Sequence, residues 1–167
     1  MKKLIAIGMV LVLVCCAAAL AEGSMQVQPE MTQFVSEAGY SLWYAPELLT
    51  AQSDVINDCF YPAGTDGESE IVMLVVPVDI DPAYAGDLII EATGGYGDEC
   101  AISEIGEIVL ANGVNVRTVE ARYENTVDRY YLVTDDSHVL CITATFPADA
   151  EAMWGLCFES MVASIAF

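Results

Sequence analysis

Past Lys3 the chain contains no lysine. Three arginines, Arg117, Arg122 and Arg129, stand against 25 carboxylates, with one histidine, His138. Nucleic-acid affinity comes largely from Lys and Arg displacing counterions from phosphates, so DNA and RNA are excluded as partners. Anionic lipid headgroups attract polybasic segments and are excluded on the same ground. A serine hydrolase needs a histidine held against its nucleophile, and the sequence has no G-x-S-x-G elbow. His138 and Cys141 lie three apart on a predicted strand, where alternate side chains point to opposite faces, so they form no thiolate–imidazole dyad. There is no C-x-x-C and no tight metal-ligand spacing, no internal repeat and no low-complexity tract. No apolar run after Ala21 is long enough to span a bilayer.

The front of the chain is different in kind. Lys2 and Lys3 precede an apolar run, Leu4 to Val14, and a small-residue stretch ends in Ala19-Leu20-Ala21. This is the order of an export signal with an A-x-A cleavage site. The expected organisation is a signal peptide over 1–21, cut after Ala21, a flexible arm over 22–33, and a single domain over 34–167. The exported part then carries 3 − 25 = −22 charges, against −20 for the whole chain. Its place is outside the cytoplasmic membrane, secreted or in the cell envelope. The competing readings of the front are a retained membrane helix, since Leu4 to Ala21 spans 18 residues, and lipid attachment at Cys15 or Cys16.

Within the domain, Tyr40 to Tyr44 reads as an aromatic-rich strand ended by Pro46, followed by a helical turn within 47–53 and a strand from Val55 to Tyr61. Ile71 to Val78 is continuously apolar, as in a central strand covered on both faces. Asp81 or Asp79 caps a short helix from Pro82 to Thr93, Pro82 fitting the first helical position with Asp81 as N-cap, and Gly94-Gly95 would stop it. A weak strand over 101–105 follows. Asn112-Gly113 is a hairpin signal between Glu107–Ala111 and Val114–Tyr123, and Asp135-Asp136-Ser137 joins two more strands, Arg129–Thr134 and His138–Phe146. A closing helix runs over 149–164, with Ala150, Met153, Trp154, Cys157, Met161 and Ile165 as its buried stripe. The fold class is α+β, an antiparallel sheet covered by helices.

Two stretches carry a family resemblance. Gly39-Tyr40-Ser41-Leu42-Trp43-Tyr44-Ala45-Pro46 resembles the G-Y-S-L-x-Y-P start of PsbP-like domains, with Ala45 inserted before the proline. Tyr131-Leu132-Val133, then Cys141 to Pro147, then Trp154 and Phe158 to Val162, resemble their last strand and closing helix. The order of elements is similar to the fold that PsbP-like proteins share with the Ran-binding Mog family, here in a bacterial secreted member. The resemblance implies a non-enzymatic binding or assembly role without a resident cofactor, and it carries over no functional residue.

The candidate sites follow from the residues. A turn at Asn125-Thr126 would set Arg122 opposite Arg129, with Glu120, Glu124, Tyr131 and Val133 on the same face. Like charges placed opposite need intervening carboxylates. That face is therefore either an internal ion-pair cluster or a spot where Arg122, Arg129 and Tyr131 receive an anionic group. Trp43 and Tyr44 are the other candidate contact surface. Asp66, Glu68 and Glu70 alternate in a loop and suit calcium, although Ile71 and Pro77 break the EF-hand pattern. Of the four cysteines beyond Ala21, Cys141 and Cys157 lie on adjacent elements and are the candidate disulfide, free buried thiols being the alternative. The expected function is a secreted binding module for an unidentified protein or a cationic ligand. The alternatives are a calcium- or cation-binding extracellular protein and a hydrolase built on paired carboxylates.

Overall fold

The computed structural model describes residues 29–65, 69–93 and 100–167. The expected signal peptide, most of the expected arm and the Gly94-Gly95 stop lie outside them. The first described strand starts within the expected arm: β1 (Thr32–Val35) pairs antiparallel with β2 (Ser41–Tyr44) in a two-stranded ribbon. Gly39 closes the turn between them at φ 90, the left-handed region that a glycine enters without steric penalty.

The main sheet has the order β3-β4-β5-β10-β9-β8-β6, with β7 also on β8, and every described pairing is antiparallel. Its strands are β3 (Leu49–Ser53), β4 (Asp58–Pro62), β5 (Val72–Pro77), β6 (Ala101–Ile102), β7 (Gly106–Val109), β8 (Asn115–Arg122), β9 (Thr126–Thr134) and β10 (Val139–Pro147). A 3-10 turn (Pro82–Asp87) leads into α1 (Leu88–Thr93), and a second one (Ala148–Ala150) leads into α2 (Glu151–Ala163). Among the described residues no helix is long and apolar enough to cross a membrane.

Local chemistry explains several boundaries. The Asp81 carboxylate accepts the Ala83 amide at 2.9 Å, so the predicted N-cap forms, although it opens a 3-10 turn before the α-helix. Gly113, at φ 90, closes the Asn112-Gly113 hairpin by donating its amide to Leu110 O. The region 47–53 departs from expectation. One turn closes where the Leu49 amide donates to Ala45 O, and then the chain extends as β3. Asp54 Oδ1 accepts the Ile56 and Asn57 amides, at 2.7 and 2.9 Å. This Asx turn sets β3 against β4 and throws Val55 and Ile56, expected in a strand, out to solvent.

Both sheet faces carry apolar clusters of unequal size. One face, with α2 and the ribbon over it, holds Tyr40, Leu42, Phe60, Met73, Val75, Val133, Ile142, Phe146, Phe158 and Ile165. The other holds a smaller group, Val119, Leu132 and Val139, beneath Ala85 and Ile89. Each fully buried large apolar side chain contributes roughly 1.5–3 kcal/mol, so the α2 side dominates stability. β5 is central, but only Met73 and Val75 are fully buried while Val72, Leu74 and Val76 stay half-exposed. The buried stripe of α2 is Trp154, Phe158, Met161 and Val162, with Gly155; Met153, expected in it, is 42% exposed. The helix is apolar at so many positions that spacing alone does not select its inner face.

Candidate functional site

Two arginines and two glutamates close a ring between the sheet and the start of α2. On β8, Glu120 and Arg122 are two residues apart and so share a face. Arg129 on β9 lies directly opposite Glu120, and Arg122 lies opposite Val127. The turn is one position earlier than expected, with the Tyr123 amide donating to Thr126 O. The resulting two-residue change in pairing puts opposite charges, rather than two arginines, across from each other.

Glu120 Oε1 accepts Arg122 Nε and Nη2 at 3.2 and 2.8 Å, and its Oε2 accepts Arg129 Nε and Nη2 at 3.1 and 2.7 Å. Glu151, the first residue of α2, accepts Arg122 Nη2 at 2.7 Å and Arg129 Nη2 at 2.9 Å. Both arginines are thus forked onto Glu120 and tied to the helix by Glu151. Arg129 also lies over the Phe146 ring, 5.5 Å from its centroid, with Glu159 at 3.9 Å from Nη1. Gly155 makes room for it: a Cβ there would lie 3.3 Å from Arg129 Nη1 and 3.4 Å from Phe146.

The electrostatics match this closure. Burial pushes the Glu120 carboxyl up, but the hydrogen bonds from Arg129 and Arg122 outweigh it and hold the group below the ordinary glutamate range. Arg122 is raised by its hydrogen bonds to Glu151 and Glu120. Burial pulls Arg129 down, but Glu120 and the Tyr131 hydroxyl beside it together raise it overall.

Three expectations are corrected here. The face bearing Arg122 and Arg129, a candidate spot for an anionic group, is the face that α2 covers, and the internal ion-pair cluster is what forms there. Tyr131 and Val133 on that face are 5% and 0% exposed, so Tyr131 is a core residue. Its hydroxyl lies beside the Arg129 guanidinium without hydrogen-bonding geometry to any described group, and burial pushes its pKa up to about 12. Glu124 was expected to complete the ion-pair cluster, but Glu151 does so.

Trp43 is 45% exposed, whereas Tyr44 packs edge-on against Phe60 at 5.7 Å. Asp66 and Glu68 lie outside the described residues, and Glu70 is exposed. Among the described residues no three His, Cys, Asp or Glu side chains are placed to hold a metal. The Cys141–Cys157 disulfide is absent, and Cys59 and Cys100 are free as well. Cys141 packs with the α1 cluster and Cys157 with the α2 core, so the sheet separates them. His138 is held by Asp135 at 3.0 Å and stacked on Phe167 at 4.7 Å.

Sequence reasoning missed two groups. Glu151 is the first residue of α2, and nothing in its local sequence ties it to the two arginines. Asp58, 5% exposed, accepts Ser36 Oγ and Tyr40 Oη on one oxygen, at 2.6 and 2.5 Å. This polar knot fastens the end of β1 to β4. A carboxylate inside an apolar strand was the available signal, since buried charge demands partners.

No family model matches the chain, and no curated protein matches it. Among solved structures, it is similar to the solution structure of cyanobacterial PsbP (CyanoP) from Synechocystis sp. PCC 6803. The two share a TM-score of 0.58 at 10% identity, over 89% of this chain and 98% of that one. The fold is therefore PsbP-like, α+β, as its strand order and helical cover indicate.

Proposed function

We propose that the protein is an exported, non-enzymatic binding or assembly module whose partner is a cationic protein surface. The observation that carries this reading is the closed ring. The two arginines best placed for an anionic ligand are already neutralised by Glu120 and Glu151. What remains for contact is anionic. Pairing each of the three arginines with one carboxylate leaves 25 − 3 = 22 carboxylates uncompensated. The PsbP-like fold is compatible with such a role, and the Lys2-Lys3 start followed by Leu4 to Ala21 supports export. A surface of one sign steers oppositely charged partners and falls off with salt.

The test is capture from native envelope extract on immobilised chain beginning at Glu22. Basic proteins should be retained at low salt and released near about 0.5 M salt, where screening is nearly complete beyond a few ångströms. Retention that ignores salt, or of acidic proteins only, would count against the reading. Amino-terminal sequencing of the native protein tests export, with Glu22 expected first. Chain retaining Lys2 and Lys3 in the cytoplasm would overturn that part.

A further inference from the structure

The two edges of the main sheet differ in chemistry. At one edge, β3 shows solvent Gln52 and Ser53. At the other, β6 and β7 form a broken edge on β8, and four large aliphatic side chains stand exposed within eight residues: Ile102 at 46%, Ile105 at 45%, Ile108 at 56% and Val109 at 69%. Among the described residues nothing pairs with the far side of β7. Natural sheets blunt such an edge with charge, lysine above all, or with proline; this one has no lysine or proline between residues 100 and 110, and its charges there are the exposed Glu104 and Glu107. Its backbone groups on the solvent side are a template for one more strand, and Ile108 on one face, with Val109 on the other, supplies apolar contact of the kind such recognition uses.

We propose that the β7 edge accepts an extended cationic segment of a partner protein as an added strand. This rests on the cationic partner proposed above and names where that partner docks. Charge selects the occupant. A second copy would bring another −22 charges to the same edge, with Glu104 exposed on both sides. An extended segment with lysines between β-branched residues meets Glu104 and the long acidic field while its apolar side chains, all on one face, cover Ile108; Val109 lies on the opposite face, with Glu107. Glu107 contributes less, since Arg117 holds it at 2.8 Å.

The probe is an acetylated, amidated lysine–valine repeat octapeptide, with a glutamate–valine repeat and a backbone N-methylated lysine–valine repeat as controls. The readout is amide exchange and chemical shift by NMR on the chain from Glu22. The lysine peptide should slow exchange at 106–109, while neither control does. Ile108→Lys should abolish the effect and Glu104→Gln should weaken binding several-fold, with the β9 and β10 shifts of both variants unchanged. Peptide-induced protection mapping elsewhere, equal binding by the N-methylated peptide, or protection at β7 that grows with protein concentration and needs no peptide would each overturn the proposal. Salt-released capture of basic proteins with a silent β7 would sink the edge alone; loss of both would sink the parent reading too.

Discussion

Glu120 is the residue on which Arg122 and Arg129 converge, and its ionisation sets a pH dependence. Its folded carboxyl lies below the ordinary value of 4.5 because the arginine hydrogen bonds outweigh burial. A group depressed on folding contributes stability that is complete above its unfolded value and lost as pH falls through the folded one. The acid limb of unfolding should therefore steepen below about pH 4.5. Glu120→Gln should remove that part of the limb and cost about 1–2 kcal/mol near pH 7, a figure discounted because the ring is partly solvated. Urea melts across the acid range check both, and an unchanged acid limb in the variant would show the ring to be idle. Much of this was legible beforehand. Alternation along a strand placed Glu120, Arg122 and Arg129 on one face from the sequence. Glu151 was not legible, because its contact is set by where a helix 22 residues beyond Arg129 settles on the sheet.

At the scale of elements, agreement followed local chemistry and error followed tertiary choice. Asp81-Pro82 and Asn112-Gly113 act within a few residues, and both did what their side chains dictate. Leu49 to Ser53 has no such internal signal. Its extension is decided by pairing with β4, Leu49 opposite Pro62 and Ala51 opposite Phe60. The inner face of α2 was likewise fixed by fit, Gly155 against Arg129 and Phe146, rather than by apolar spacing. The cap at Asp81 gives a direct test. Asp81→Ala should cost about 1 kcal/mol through loss of the bond to the Ala83 amide, and Asp81→Asn should retain most of it. Equilibrium unfolding of the two variants measures the difference, and equal losses would mean that charge, not the acceptor oxygen, is what matters there.

At the scale of the molecule, the sheet is a partition. It holds Cys141 on the α1 side and Cys157 on the α2 side, so oxidation does not join them without unfolding. Titration of the chain from Glu22 should find four thiols in denaturant, with Cys59 and Cys141 slow in the native state because burial raises both thiols. Fewer than four in denaturant would mean that a disulfide forms, and the separation of Cys141 from Cys157 makes theirs the pairing not expected. The charge acts across the partition. Some 22 uncompensated carboxylates repel one another in any compact state, and raising salt from about 0.1 to 1 M shortens the screening length from about 10 to 3 Å. The melting temperature should therefore climb by several degrees, each kcal/mol being worth roughly 2–4 °C for a chain near this size. Calcium chloride and sodium chloride at matched ionic strength should raise it equally if screening is the whole cause. A further rise that grows with the logarithm of calcium concentration, and that chelator reverses, is the signature of an ion bound only by the folded chain. It would show that the folded chain binds calcium, as one of the sequence readings expects.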